Sequence, residues 1–151
     1  MVRQVLFIFL ISPFLIFAKK KRETEYDLIY KEVKKTFSIN PEEVVEGVYK
    51  IGEMKIEKAI PLILRLLSDE RIVWLKYDGT GKWTKIDKEV EEALIKIGKN
   101  SLKYLYALLV KNEYPYVELD EKTKEKIAGI VSKITGRNLK DIDDFSEILE
   151  E

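Results

Sequence analysis

Apolar positions recur along most of this chain at intervals of three and four residues, the period of an amphipathic helix. Over residues 23–37, Tyr26, Ile29, Tyr30, Val33 and Phe37 fall at i, i+3, i+4, i+7 and i+11, which predicts one helix face turned to the core. Asn40-Pro41-Glu42-Glu43 is a start signal: Asn40 caps, Pro41 sits where no amide is needed, and Glu43 reaches back to the cap. That helix is expected to run to Ile51 and to stop at a left-handed Gly52, with Val44, Val45, Val48 and Ile51 inward and Glu46 paired with Lys50. Residues 55–68 keep the period through Ile56, Ala59, Ile60, Ile63, Leu64 and Leu67, and Pro61 falls near the first turn. Residues 86–98 follow, with Ile86, Val90, Ala93, Leu94 and Ile97 inward and Glu92 paired with Lys96. Residues 101–111 turn Leu102, Leu105, Tyr106 and Leu109 inward. Asp120 opens a helix with Ile127, Ile130, Val131 and Ile134 inward and Gly136 at its end, and a short last helix buries Phe145, Ile148 and Leu149.

Two of these helices are copies. Residues 43–52 (EVVEGVYKIG) and 89–98 (EVEEALIKIG) agree at six positions with an offset of 46. The helix after each copy keeps the same offset, so the unit is a helix pair; a third copy begins at Asp120, now offset by 37. A repeated pair that cannot bury its apolar face alone predicts stacking against its neighbours. The segments Glu92-Ala93-Leu94-Ile95-Lys96-Ile97-Gly98 and Ala59-Ile60-Pro61-Leu62-Ile63 resemble the two helices of a HEAT-like repeat, and Lys133–Asn138 with Phe145 is similar to the tail of some bacterial members. The resemblance spans about residues 41–145. It implies an all-α fold, a short α-solenoid of stacked antiparallel helical hairpins (an α–α superhelix), used for binding or scaffolding.

One stretch breaks the period. Asp69–Lys85 alternates β-prone residues around Asp78-Gly79, a two-residue hairpin turn. Paired positions then sum to 157, and Trp74 faces Trp83, the two tryptophans of the chain. Such a pair either folds back over the end of the helix stack or presents a binding surface. The loop at Asn112–Leu119 carries Tyr114-Pro115-Tyr116, and stacking predicts both loops on one edge. Trp74, Tyr77, Trp83, Tyr114 and Tyr116 are therefore the candidate partner-binding rim.

Composition narrows the function. The chain has 151 residues, 27 basic and 27 acidic, so no net field draws it to nucleic acid. Its density of Lys and Glu suits a thermophile's ion-pair surface. There is no Cys and no His. That removes disulfides, thiol nucleophiles, the usual general base and the commonest metal ligand, so no enzyme activity, metal or cofactor is expected. Asp141, Asp143 and Asp144 lack the glycine and ligand spacing of a calcium loop, and Gly79-Thr80-Gly81 is too short for a phosphate loop. No carboxylate is expected on an apolar wall.

The N-terminus reads as an address. Arg3 precedes Val5–Ala18, 14 residues without a charge, about 21 Å as a helix and short of a roughly 30 Å hydrocarbon core. Residues 1–18 are expected to be a signal peptide cleaved after Ala18, or else an uncleaved anchor in the inner membrane. Residues 19–24 form a basic linker whose Lys19, Lys20, Lys21 and Arg22 suit a weak contact with a membrane surface, and 25–151 form the repeat domain. The expected role is an exported, periplasmic or secreted protein–protein interaction or scaffolding module; the alternative is a small-ligand or lipid-binding module using the concave face.

Overall fold

A computed structural model describes residues 24–76, 79, 81–139 and 142–150. The expected signal peptide, the four basic linker residues, Tyr77, Asp78 and Asp141 lie outside the described residues. Helix makes up 68% of what is described, with one antiparallel two-stranded sheet. No helix among the described residues is long and apolar enough to cross a membrane.

The helices start where short polar side chains satisfy free amides. Thr24 and Asp27 form a reciprocal capping box for α1 (Glu25–Lys35). Asn40 accepts from the Glu42 amide at 3.0 Å to start α2 (Pro41–Glu53). The expected return bond from Glu43 is replaced: the Asn40 amide donates to Ser38 Oγ at 3.1 Å. Asp120 accepts from the Thr123 amide at 2.7 Å and opens α6 (Glu121–Thr135), which Gly136 closes in the left-handed conformation.

The segment expected as one helix over 55–68 is built from three short pieces. A 3-10 turn (Glu57–Ala59) leads into α3 (Ile60–Ile63) and a second 3-10 turn (Leu64–Ser68). Pro61 has no amide to donate to Glu57, whose carbonyl accepts from Ile60 instead, so the tighter turn persists. All six residues expected inward here are buried. After the hairpin come α4 (Ile86–Ile97), a 3-10 turn (Gly98–Ser101) and α5 (Leu102–Leu109), and the described chain closes with α7 (Ile142–Glu150).

Packing runs α1 on α2, α2 on α4 and α4 on α6, while α5 meets α6 and α7. One continuous core joins Val48 and Ile51 of α2, Ile60 and Ile63 of α3, Leu94 of α4, Leu105 of α5, Ile127 of α6 and Phe145 of α7. Each such fully buried side chain stabilises the fold by about 1.5–3 kcal/mol.

Gly52 does not end α2. It is helical, and a Cβ there would lie 2.8 Å from the Ala93 Cα, so its lack of a side chain lets α2 and α4 touch. The left-handed residue after α2 is Lys55, at φ 51°. Its repeat counterpart Gly98 does cap α4, at φ 80°.

The face expected to bury α1 is also corrected. Ile29 and Val33 pack on the core, but Tyr26, Tyr30 and Phe37 are exposed, and Glu32 and Thr36 are buried instead. Gly47 explains the rotation: a Cβ there would meet the Glu32 carbonyl at 2.7 Å, so the α1 backbone lies directly on α2 along the 29–32–33–36 line. The two ion pairs expected within helices form between them. Glu46 takes Lys35 of α1 at 2.8 Å, and Lys96 takes Glu53 of α2. Burial draws the Lys35 ammonium down, but Glu46 and Glu32 outweigh it and hold it above the usual lysine value.

Candidate functional site

The hairpin pairs β1 (Ile72–Leu75) with β2 (Lys82–Lys85) in the register expected, Trp74 opposite Trp83. Gly79 at its tip has φ 82°, a conformation glycine adopts without steric cost. Its base is tied to the helices. Arg71 grips the Asp69 carboxylate with Nε at 3.0 Å and Nη2 at 2.8 Å, and the Asp87 amide donates to the Asp69 carbonyl at 2.8 Å. Burial pushes the Asp69 carboxyl up, but Arg71 overcomes this and holds it below the usual aspartate value. Thr84 Oγ1 donates to Glu89 Oε1 of α4 at 2.9 Å, a second tie.

Alternation along β1 decides which face does what. Val73 and Leu75 point inward, 3% and 1% exposed, and they cover the core. Ile72, Trp74 and Trp83 occupy the other face at 65%, 39% and 70% exposure. The indoles meet edge to face, centroids 5.3 Å apart at 72°. Trp74 also lies on the backbone at Gly81, where a Cβ would come within 2.8 Å of its ring. The covering role open to the tryptophans is thus taken by two aliphatic neighbours, and the tryptophans face solvent.

Tyr114 and Tyr116 form a second edge-to-face pair, centroids 6.1 Å apart. Tyr116, exposed, donates its hydroxyl to the Pro61 carbonyl at 2.7 Å, which seats the loop on α3. Tyr114 is half-buried; burial, then Glu113 and the neighbouring tyrosines, pushes its phenol up. Among the described residues no ring contact joins the tryptophan pair to the tyrosine pair. The rim read from the sequence is two aromatic pairs, and Tyr77, expected with them, lies outside the described residues.

Two clusters had escaped the sequence reading. Arg65 stacks 4.0 Å from the Phe37 ring centroid and donates to the Thr36 carbonyl at 2.9 Å, bolting the end of α1 to the second 3-10 turn. Its signal was a single cation in the apolar run Leu62–Leu67. The second cluster corrects the expectation that no carboxylate sits in apolar surroundings. Asp87, Glu89 and Glu32 are all buried. Each has a partner: Lys126 Nζ lies 2.7 Å from Asp87 and 2.8 Å from the Leu67 carbonyl, Thr84 bonds Glu89, and Lys35 lies 3.3 Å from Glu32. The Asp87 and Glu89 pairs hold elements together, while the Glu32–Lys35 pair lies within α1.

No family model, curated protein or solved structure matches this chain.

Proposed function

We propose that this chain is a non-catalytic protein-binding or scaffolding module whose contact surface is the outer face of the Trp74–Trp83 hairpin. The observation that carries the reading is the division of labour across β1. Val73 and Leu75 supply the packing, so Trp74 and Trp83 are spare for a partner, on a base held by Asp69–Arg71 and Thr84–Glu89. Tryptophan dominates binding hot spots because it brings a large apolar surface with few rotors to freeze. A rigid base lowers the ordering cost of binding further.

On this reading α2, α4 and α6 are the first helices of successive HEAT-like units in a short solenoid. The 46-residue echo and the packing order α1–α2–α4–α6 support that arrangement. Tyr114 and Tyr116 extend the contact region, and the apolar N-terminal run Val5–Ala18 supports a location in the cell envelope. The competing reading is a small-ligand or lipid-binding module. Grooves of about 390, 490 and 700 Å³ are open to solvent and rich in Lys and Glu, unlike the enclosed apolar pockets that hold such ligands, which favours the partner reading.

The test is affinity capture from the protein's own envelope fraction, with Trp74→Ser/Trp83→Ser as control. A partner retained by the native chain and lost by the variant, with folding kept, is the expected result. An identical captured set from both overturns the assignment.

A further inference from the structure

The hairpin has two strands, so β1 and β2 each keep one edge with no neighbour in the sheet. One bond fixes which backbone groups face those edges. The Ile86 amide donates to the Arg71 carbonyl at 3.2 Å. Hydrogen-bonded and non-hydrogen-bonded pairs alternate along an antiparallel ladder, so Val73–Thr84 and Leu75–Lys82 bond across the hairpin and Ile72–Lys85 and Trp74–Trp83 do not. The indoles agree: side chains stand closer at a non-hydrogen-bonded pair, and these ring centroids are 5.3 Å apart.

The Trp83 amide, the Trp83 carbonyl and the Lys85 amide are therefore turned to the outer edge of β2. The Lys85 carbonyl belongs to the first turn of α4, for which Lys85 is the N-cap. No turn, loop or side-chain bond reaches any of the three among the described residues. The strand stays extended through Lys85 (φ −112°, ψ 149°), and three of its four residues are exposed. β1 is less open, because α2 packs against it and Val73 and Leu75 are buried. An exposed run of donor, acceptor and donor at strand spacing is a template for another strand.

Charge selects the occupant. β2 carries Lys82 and Lys85 and no acid, and neither lysine forms a salt bridge among the described residues. The acids at the hairpin base are already held: Asp69 by Arg71, and Glu70 by Lys122 of α6, with Lys85 acting on Glu70 more weakly. The third acid of the hairpin, Asp78, lies outside the described residues. A second copy paired along this edge would put four lysines on one strip with no acid to meet them, which is how natural edges resist self-pairing. A lipid phosphate only accepts hydrogen bonds, so it would leave the Trp83 carbonyl without a donor. A peptide strand supplies both donor and acceptor, and its carboxylates answer the lysines.

We propose that β2 takes up an extended acidic segment of a protein partner as a third, antiparallel strand. The partner residue opposite Trp83 exchanges two hydrogen bonds with it and rests an apolar side chain on the indole. The residue two places earlier accepts from the Lys85 amide. The segment therefore reads acid–any–apolar–acid, with its acids opposite Lys85 and Lys82. This rests on the hairpin being the contact surface and adds the class of chain that it contacts.

The probe is the blocked peptide TETVET, titrated at millimolar concentration into the isotope-labelled full chain and followed by NMR. The Trp83 and Lys85 amide protons are expected to move downfield and to exchange more slowly with solvent. The same peptide N-methylated at its valine cannot donate to the Trp83 carbonyl and should bind about tenfold more weakly. That change is in the peptide, so the fold of the chain is untouched. Lys82→Glu/Lys85→Glu should weaken TETVET about tenfold and favour TKTVKT instead. No binding at millimolar concentration, unchanged Trp83 and Lys85 amides, or equal binding of the N-methylated peptide overturns strand addition. Shifts confined to the indoles do so too, while leaving the Trp74–Trp83 surface in place. Equal binding of TETVET and TKTVKT to the native chain overturns the acidic assignment. Protection of both amides with undiminished affinity in Trp74→Ser/Trp83→Ser supports the strand edge and overturns the indole surface.

Discussion

The two faces of β1 predict opposite responses to substitution, and the comparison tests the hairpin's role directly. Trp83 is 70% exposed, so it buries about three-tenths of a tryptophan's roughly 250 Å², or about 75 Å². At about 25 cal/mol per Å² that sets a ceiling near 2 kcal/mol. Compactness of the unfolded chain and the modest worth of a cross-strand pair bring the expected cost of Trp83→Thr to about 1 kcal/mol. Leu75, one strand away, is 1% exposed and belongs to the core. Leu75→Ala removes buried methyl groups and leaves a cavity, at a cost of about 3–4 kcal/mol. Urea unfolding followed by far-ultraviolet circular dichroism reads both without relying on the substituted indole. With a slope of about 1.5 kcal/mol per M, the midpoints should fall by about 0.7 M for Trp83→Thr and more than about 2 M for Leu75→Ala. Equal shifts, or a larger one for Trp83→Thr, would refute the reasoning. The indole pair would then be the cover over the core, and the binding surface would lose its basis.

The buried pair of Lys126 with Asp87, at 10% and 2% side-chain exposure, gives a second prediction. Lys126→Met strands the Asp87 charge and should cost about 3–5 kcal/mol, with much of it recovered on adding Asp87→Asn; a single-mutant loss under about 1 kcal/mol in urea unfolding would place the pair with ordinary surface bridges. The third concerns acid. Thr123, through its side-chain and backbone bonds, holds the Asp120 carboxyl below its ordinary value of 3.8. A lowered folded-state value means that this stabilisation is complete above 3.8 and drains away as pH falls through the lower value. Asp120→Asn, which can still cap α6, should therefore lose less thermal stability than the native chain between about pH 5 and about pH 2, and parallel melting curves would contradict the assignment.

Much of the local structure was legible in the sequence. The caps at Asn40 and Asp120, the stop at Gly136, the apolar stripes of α4 and α6 and the Trp74–Trp83 register depend on interactions that reach only a few residues along the chain or across one turn. Their periods and turn residues state the outcome directly. What neighbouring helices do to one another was not legible. Gly52 and Gly98 occupy the same place in the repeat, yet one admits Ala93 of a neighbouring helix and the other turns the chain. Glu46 and Lys96 each had an oppositely charged residue one turn away and took a cation or anion from the adjacent helix instead. The Tyr26–Tyr30–Phe37 stripe had the period of a core face, but α1 meets α2 along the line that Gly47 opens, which leaves the stripe in solvent. The alternation of β1 likewise marked two faces without saying which would meet the core. Periodicity defines a face; only the docking of one element on another decides whether protein or solvent covers it. That decision put Val73 and Leu75 inside and left the two tryptophans outside.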